Sequence, residues 1–382
     1  MKVAFFGNSL NNHQVHFSDE MYKLLGKDYT FVVCVSIKKA NLKGGKDYHD
    51  RPYCLAASEN EVNKEKACSL AVSCDVAIFG ANSMEYEVLR MSQANPGLSF
   101  EVGERWFKRG WINVFSPRLL YWLWCYHFGR WNKKPLYKLC SSAYAAGDHS
   151  KLFSFRGRCY KWGYFIPVEN YNVEASLDVS TLKPTTIMWC ARFLKLKHPE
   201  LPVLLAKKLK DEGYGVQIDM YGSGEKLEDT RILCKKLQVT DVVTFKGNVP
   251  NEDVLKAMRQ HDIFLFTSDK HEGWGAVLNE AMSNGCAVVA SDAIGSVPYL
   301  IEDGKNGFCY RSKDVDSLFE KVKFLLEHEQ VRRQMGIQAY YSIKEIWSPR
   351  IAAHNFLQLI DDLDNERDTS IKEGPCSKAK SL

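Results

Sequence analysis

The stretch His271–Gly285, HEGWGAVLNEAMSNG, decides how this chain folds. It follows FLFTS (Phe264–Ser268), an apolar run closing on small polar residues, and precedes CAVVASD (Cys286–Asp292), a second such run. The pattern predicts strand, turn, helix and strand, the unit from which parallel α/β sheets are built. Ligands of such sheets bind at the carboxyl ends of the strands, where helix N-termini present free N–H groups and a positive dipole. Gly273 and Gly275 carry no Cβ and let the backbone approach an anion closely. Glu272 precedes the helix and Glu280 lies one to two turns inside it, so both carboxylates can face one ligand at different depths. An anion on the amides with two carboxylates for hydroxyls suits a sugar nucleotide. Taken alone, the two glutamates are as easily a helix cap and a solvated helix residue. Their surroundings decide between these readings.

Further apolar runs lie at Val3–Gly7, Thr30–Ser36, Val76–Ala81, Ile112–Ser116 and Ala143–Asp148. A second series comprises Thr186–Ala191, Val216–Gly222, Val242–Gly247, Ile263–Ser268 and Ala287–Asp292. Continuous rather than alternating apolarity marks strands buried on both faces of a parallel sheet. Two series in 382 residues predict two doubly wound domains, at 1–170 and 171–347, joined by the proline-bounded Pro167–Pro184. SPRIAAHNFLQLIDDL, with a serine cap and a first-turn proline, predicts a helix over 348–364. Residues 365–382 are polar and lack aromatics, which predicts a flexible tail.

The composition, 45% hydrophobic and 25% charged, is that of an ordinary globular chain. No apolar run reaches the length of a membrane span, and Val3–Phe6 is too short for the apolar core of a signal peptide. Twelve cysteines without a C-x-x-C pair point to reduced, mostly buried thiols in a cytosolic protein rather than to disulfides or zinc.

The run EGWGAVLNE, continued by AMSNGCAVVASDAIGSVPYLIEDGKNGF, resembles the E-x7-E signature of family 4 retaining glycosyltransferases. IMWCARFLKLKHPELPVLLAKKL (Ile187–Leu209) resembles that family's strand–Arg–loop–Lys–helix element, and the intervening sequence keeps the family's order of elements. The resemblance covers residues 185–345. More loosely, NNHQVHFSDEMYKLLG, ERWFKRG and CYKWGYF resemble capsule and surface-polysaccharide transferases. It implies a GT-B fold: two Rossmann-like domains facing across a cleft, with a C-terminal helix crossing back to the first.

The resemblance also implies roles. Arg192 and Lys197 would hold the donor diphosphate, the arginine bidentately and the lysine as a point charge. Glu272 would meet the donor sugar and Glu280 the ribose. Backbone at Gly273, Gly275, Ala276 and Val277 would meet the distal phosphate. Asn248 and Val249 would receive the base through their backbone, and Gly222 and Gly224 would form a glycine turn at a neighbouring strand end. An ordinary tight turn is the other reading of GSG. No cofactor or metal is expected beyond the nucleotide-sugar co-substrate, UDP-linked, since the two cations and the helix dipole take the metal's place. After the first strand, NSLNNHQ offers only Gly7 where family members have a glycine-rich loop. His13 there would orient the acceptor hydroxyl or be a solvated loop residue, while Asn11 and Asn12 would read acceptor groups.

Residues 104–138 hold five of the nine tryptophans and a net charge of +7, against +5 for the whole chain. Cations interleaved with aromatics suit the surface of an anionic membrane. The competing reading is a buried strand at Ile112–Ser116 followed by an aromatic-rich core helix. No nucleic-acid motif accompanies the patch. The function expected is a metal-independent retaining transferase at the inner face of the membrane, moving a sugar to a saccharide, lipid-linked, in bacterial surface-polysaccharide assembly. The alternatives are a sugar-nucleotide epimerase or isomerase on the same fold, and a catalytically silent membrane-associated partner. A dehydrogenase is disfavoured, as no G-x-G-x-x-G follows the first strand.

Overall fold

The computed structural model describes residues 1–35, 48–108, 110–177 and 184–382. The first sheet comprises β1 (Val3–Gly7), β2 (Tyr29–Val33), β3 (Cys54–Ala56), β4 (Val76–Phe79), β5 (Leu98–Gly103), β6 (Leu136–Cys140) and β7 (Cys159–Lys161), in the order β3-β2-β1-β4-β5-β6-β7. The second comprises β8 (Thr185–Cys190), β9 (Val216–Tyr221), β10 (Val243–Gly247), β11 (Ile263–Phe266), β12 (Ala287–Ser291) and β13 (Phe308–Tyr310), in the order β10-β9-β8-β11-β12-β13. All neighbouring strands are parallel, and β1, β4, β11 and β12 are buried along their whole length. Two doubly wound α/β domains follow, as the apolar runs imply.

All five runs of the second domain become strands, but two of the first domain do not. Ile112–Ser116 is not a strand: Gly110–Phe115 winds as a 3-10 helix with Ile112 and Phe115 70% and 79% exposed. Ala143–Asp148 enters the helix Ala145–Lys151, because small alanines carry no preference for the pleat. The true strands are β5 and β6, whose apolar runs are broken by buried Ser99 and Lys138 and by half-buried Glu101. Short edge strands β3, β7 and β13, three residues each, leave too little pattern to read.

The chain forms two compact units, Met1–Pro167 with Trp347–Leu382, and Val168–Ile346. Of the segment Pro167–Pro184, residues 178–183 lie outside the described residues. The helix Pro349–Asp364 opens as its sequence predicts, with Ser348 Oγ accepting the Ile351 N–H at 3.4 Å. It returns to the first unit and packs on the helix Val15–Leu25, where Phe356 meets Phe17 edge-on.

Residues 365–382 are not a flexible tail. Cys376–Ala379 run antiparallel beside β7, with N–H groups of Lys161, Cys376 and Ala379 donating to Ser377, Lys161 and Cys159 carbonyls at 2.7–3.0 Å. Tyr160 Oη donates to Asp368 and Lys378 pairs with Asp368, while Cys376 is fully buried. Composition misleads here because the segment gains order from backbone pairing with an open sheet edge rather than from its own apolar residues. Among the described residues no helix is long and apolar enough to cross a membrane.

Candidate active site

In the second domain the predicted donor residues gather at the carboxyl ends of β8, β9 and β11. Beyond β8 the backbone turns at Ala191–Phe193, and Arg192 stands exposed there without an ion pair among the described residues. The Gly222–Gly224 turn after β9 lies directly against this bend. A Cβ on Gly222 (φ +123°) would strike the Ala191 carbonyl, and one on Gly224 (φ +148°) would stand 2.6 Å from the Phe193 oxygen. These glycines are required by backbone-to-backbone packing, which fixes the bend that presents Arg192. Phe193 N–H donates to the Ser223 carbonyl at 2.9 Å, closing the contact.

Lys197 follows in a 3-10 turn, and its Nζ pairs with the Glu272 carboxylate. Their side chains are 12% and 15% exposed, so each charge depends on the other. The turn is held from below: Trp189 Nε1 on β8 donates to Thr267 Oγ1 at 2.8 Å, which donates to the Lys197 carbonyl at 2.6 Å. The residues 75 apart in sequence are thus joined by a strand residue and the residue just past β11.

The sequence reading missed the group beneath this pair. Asp269 accepts from the His271 backbone at 3.0 Å and lies 2.8 Å from His271 Nδ1, 3.2 Å from His198 Nε2 and 3.3 Å from Lys313 Nζ. Burial works to raise its carboxyl, but the hydrogen bonds from His271 and His198 win and hold it below the usual carboxylate range. His198, bonded to Glu200 at 2.7 Å and to Asp269, is raised above the ordinary imidazole value, mainly by Glu200. The network ties the Lys197 turn to the Glu272 turn, and Asp269 N–H reinforces it by donating to the Leu196 carbonyl. Its members, 71 residues apart, leave no local signal.

Gly275 has φ +79°, and a Cβ there would run into the Phe266 ring. The adjacent Trp274 is pinned by its Nε1 donating to the buried Asn279 Oδ1 at 2.8 Å. Gly273 is buried, and Ala276 and Val277 open a helix of seven residues, Val277–Ser283. Glu280 lies in its first turn, slightly earlier than the one to two turns expected. Burial pushes its carboxyl up to about 7, opposed by a hydrogen bond to the Asn251 side chain. Asn251 begins the helix after Asn248, Val249 and Pro250, so this contact joins that segment to the helix that carries Glu280. Cys190, at the end of β8, feels both Glu280 and Lys197, with burial the main cause of its thiol being raised to about 12.

His13, Asn11 and Asn12 belong to the first domain. Asn11 Oδ1 accepts the His13 N–H at 2.9 Å, so its side chain shapes the loop. The His13 ring stacks on Tyr164 with centroids 4.7 Å apart. Desolvation lowers its pKa while Glu104 pulls the other way. None of the three lines the pocket that the first domain does possess. That pocket, about 420 Å³, opens at the ends of β1, β4, β5 and β6 and is lined instead by the neighbouring Asn8 and Gln14 together with Glu87, Glu101 and Lys138.

Two doubly wound sheets, the second carrying its ionic groups past its strand ends, constitute the GT-B fold. The structure of Anabaena Alr3699/HepE in complex with UDP matches it with a TM-score of 0.69 over 96% of this chain and 100% of that one, at 15% identity. In sequence, residues 178–341, which hold every donor-side residue named above, match the family described as Glycosyl transferases group 1. The N-acetyl-alpha-D-glucosaminyl L-malate synthase of Bacillus anthracis is 30% identical over 155 residues, 41% of this chain and 39% of its own length. The putative colanic acid biosynthesis glycosyltransferase WcaL of Salmonella typhimurium is 28% identical over 144 residues, 36% of this chain and 35% of its own. The chain therefore spans well under half the length of these two curated relatives.

Proposed function

We propose that the protein is a metal-independent, retaining glycosyltransferase that moves a sugar from a UDP-sugar to a lipid-linked saccharide in bacterial surface-polysaccharide assembly. The observation that carries this reading is the half-buried Lys197–Glu272 pair, with exposed Arg192 and the glycine-only turn at Gly275. Arg192 and Lys197 neutralise the charge that grows on the diphosphate as the glycosidic bond breaks, a kind of electrostatic catalysis worth several kcal/mol. Glu272 takes the donor-sugar hydroxyls and Glu280 the ribose, while the backbone of Gly273–Val277 meets the distal phosphate and that of Asn248 and Val249 meets the base. The sugar passes through an oxocarbenium-like state, and the departing phosphate oxygen removes the proton of the attacking acceptor hydroxyl on the same face. His13 orients that hydroxyl. The UDP bound by the HepE structure and the relative named for colanic acid biosynthesis support the donor and the pathway.

The membrane half of the proposal rests on the helix Pro117–His127. It buries Leu119, Trp122, Cys125 and Tyr126 and turns Leu120 and Trp124 outward, near exposed Ile112, Phe115 and Phe128. Outward apolar side chains within a net +7 segment suit an anionic bilayer, where each cation contributes ~1 kcal/mol.

The test is a thermal-shift screen with UDP-, GDP- and ADP-sugars, followed by assay of UDP release with and without a lipid-linked saccharide. A UDP-sugar at ~100 times its Kd should stabilise by about 2.7 kcal/mol. UDP release should require the acceptor, and the new linkage should keep the donor's anomeric configuration in the NMR spectrum. An inverted linkage, or donor consumption without acceptor, would overturn the reading.

A further inference from the structure

Lys197 owes its place to the residue that follows it. His198 ends the Lys195–Lys197 turn with φ +49° and ψ +56°, the left-handed region that L side chains seldom enter. Its side chain is 11% exposed and lies between two carboxylates. Nδ1 is 2.7 Å from Glu200 Oε1, and Nε2 is 3.2 Å from Asp269 Oδ2. A carboxylate only accepts hydrogen bonds, and a neutral imidazole carries a single N–H. Both bonds therefore form only when the ring holds two protons. His271 differs, since it turns Nδ1 alone to Asp269, a bond that a neutral ring makes as well.

We infer that His198 is the positioning residue for Lys197 and acts only as an imidazolium, its two N–H groups clamping the Lys197 turn to the helix that follows and to the turn that carries Glu272. Taking UDP as the probe of Lys197 rests on the donor-site reading above. Asp269 is the far anchor of the clamp. Its N–H donates to the Leu196 carbonyl, and its own carbonyl accepts the Glu272 N–H, each at 3.0 Å. A neutral His198 would turn a lone pair on one of its two carboxylates and release that side. Lys197 would then lose its fixed station beside Glu272, with which it pairs.

The charged groups around the ring are Glu200 from the helix Glu200–Asp211, Asp269 and His271 past β11, and Lys313, 3.3 Å from Asp269. Lys197 adjoins it in the chain, and the Tyr310 phenol, near Glu200, is kept neutral by burial. Burial works to raise the Glu200 carboxyl, yet the bond from His198 prevails and keeps it below its usual range. The Glu200 bond in turn raises His198 above its ordinary 6.5 against burial, with Asp269 adding to it. The clamp is therefore complete below pH 6.5 and is lost as pH rises through that raised value.

The experiment uses the full chain. Ring nitrogen NMR, with His198 assigned by its loss in His198→Asn, should find the ring still charged at about pH 6.5, where a free imidazole is half neutral. Asparagine enters the left-handed region readily and does not titrate, so it keeps the turn and removes the switch. The variant-to-wild-type ratio of Kd for UDP cancels the titration of UDP itself and of Glu280. That ratio should be about tenfold at about pH 6, the worth of one charge-assisted hydrogen bond, and near one at about pH 9. Glu200→Gln should move the loss of UDP affinity to lower pH. Mere attraction between His198 and the diphosphate predicts the reverse, tighter UDP at every pH once an anion is gone. A neutral ring at about pH 6.5, a ratio that does not vary with pH, or tighter UDP in Glu200→Gln overturns the inference. If the wild type binds no UDP, the donor reading falls and hydrogen exchange at 194–197 decides the clamp by itself. Exchange several-fold faster in His198→Asn than in wild type at about pH 6, with the gap closed at about pH 9, keeps the clamp. A constant gap, or none, overturns it.

Discussion

The two domains place their chemistry differently. The second keeps its strands apolar and carries Arg192, Lys197, Asp269, Glu272 and Glu280 on the turns and helix beyond them. The first sets Glu101 and Lys138 within its strands β5 and β6 and buries Glu87 close by. A site beyond the strands leaves the strands readable and can change without unfolding them. A site within them trades both properties for rigid placement of its charges.

Removing one lysine from each region sharpens that contrast most. Lys138→Met strands Glu101 beside Glu87 in the core and should cost about 3–5 kcal/mol of stability, as breaking a buried pair does. Lys197→Met should cost less, because Lys138, 1% exposed, offsets buried Glu87 as well as Glu101 while Lys197 is 12% exposed, yet should abolish transfer. Denaturant melts of both variants decide it, and equal losses would erase the distinction drawn here.

Arg192→Ala should leave stability within about 0.5 kcal/mol, because the side chain is exposed and unpaired among the described residues. UDP affinity should fall by about 10–100-fold, the worth of one or two charge-assisted hydrogen bonds. Calorimetric titration with UDP reads the loss, and an unchanged Kd removes Arg192 from the donor site.

Glu280 gives a smaller, pH-dependent effect. Its folded carboxyl is raised to about 7 from an ordinary 4.5, so the stability it adds is full below pH 4.5 and is lost as pH rises through 7. If ribose hydroxyls donate to its carboxylate, UDP binding at pH 7 should release up to about half a proton, visible as buffer-dependent binding enthalpy. Glu280→Gln should remove that dependence. The smallest expected effect is none: EDTA at millimolar concentration should leave the transfer rate unchanged, and restoration of a lost rate by Mg²⁺ or Mn²⁺ would refute metal independence.

Legibility followed the same divide. The second domain's strands and the turn at Gly273–Gly275 were readable because continuous apolarity and glycine are local signals. β5 and β6 were not, because Glu101 and Lys138 look solvent-facing until their partner across the sheet is known. Of the aromatic segment's core reading, the helix is present, with Pro117–His127 packing one face inward, but the buried strand is not, since Ile112 and Phe115 stand exposed on a 3-10 turn. Asp269 and His198 escaped notice because their pairing is purely tertiary, and the Gly222–Gly224 turn was visible while the backbone contact that requires it was not.

The return of residues 347–382 to the first unit has a consequence for biosynthesis. The N-terminal sheet leaves the ribosome first but lacks the Phe356 face and the chain that runs beside β7 until translation has passed the whole second unit. The second unit, continuous from 168 to 346, can close while the earlier-made one still waits for its final pieces. Nascent chains stalled before residue 347 should therefore expose the β7 edge to chaperones, a vulnerability that ends only when the last segment emerges.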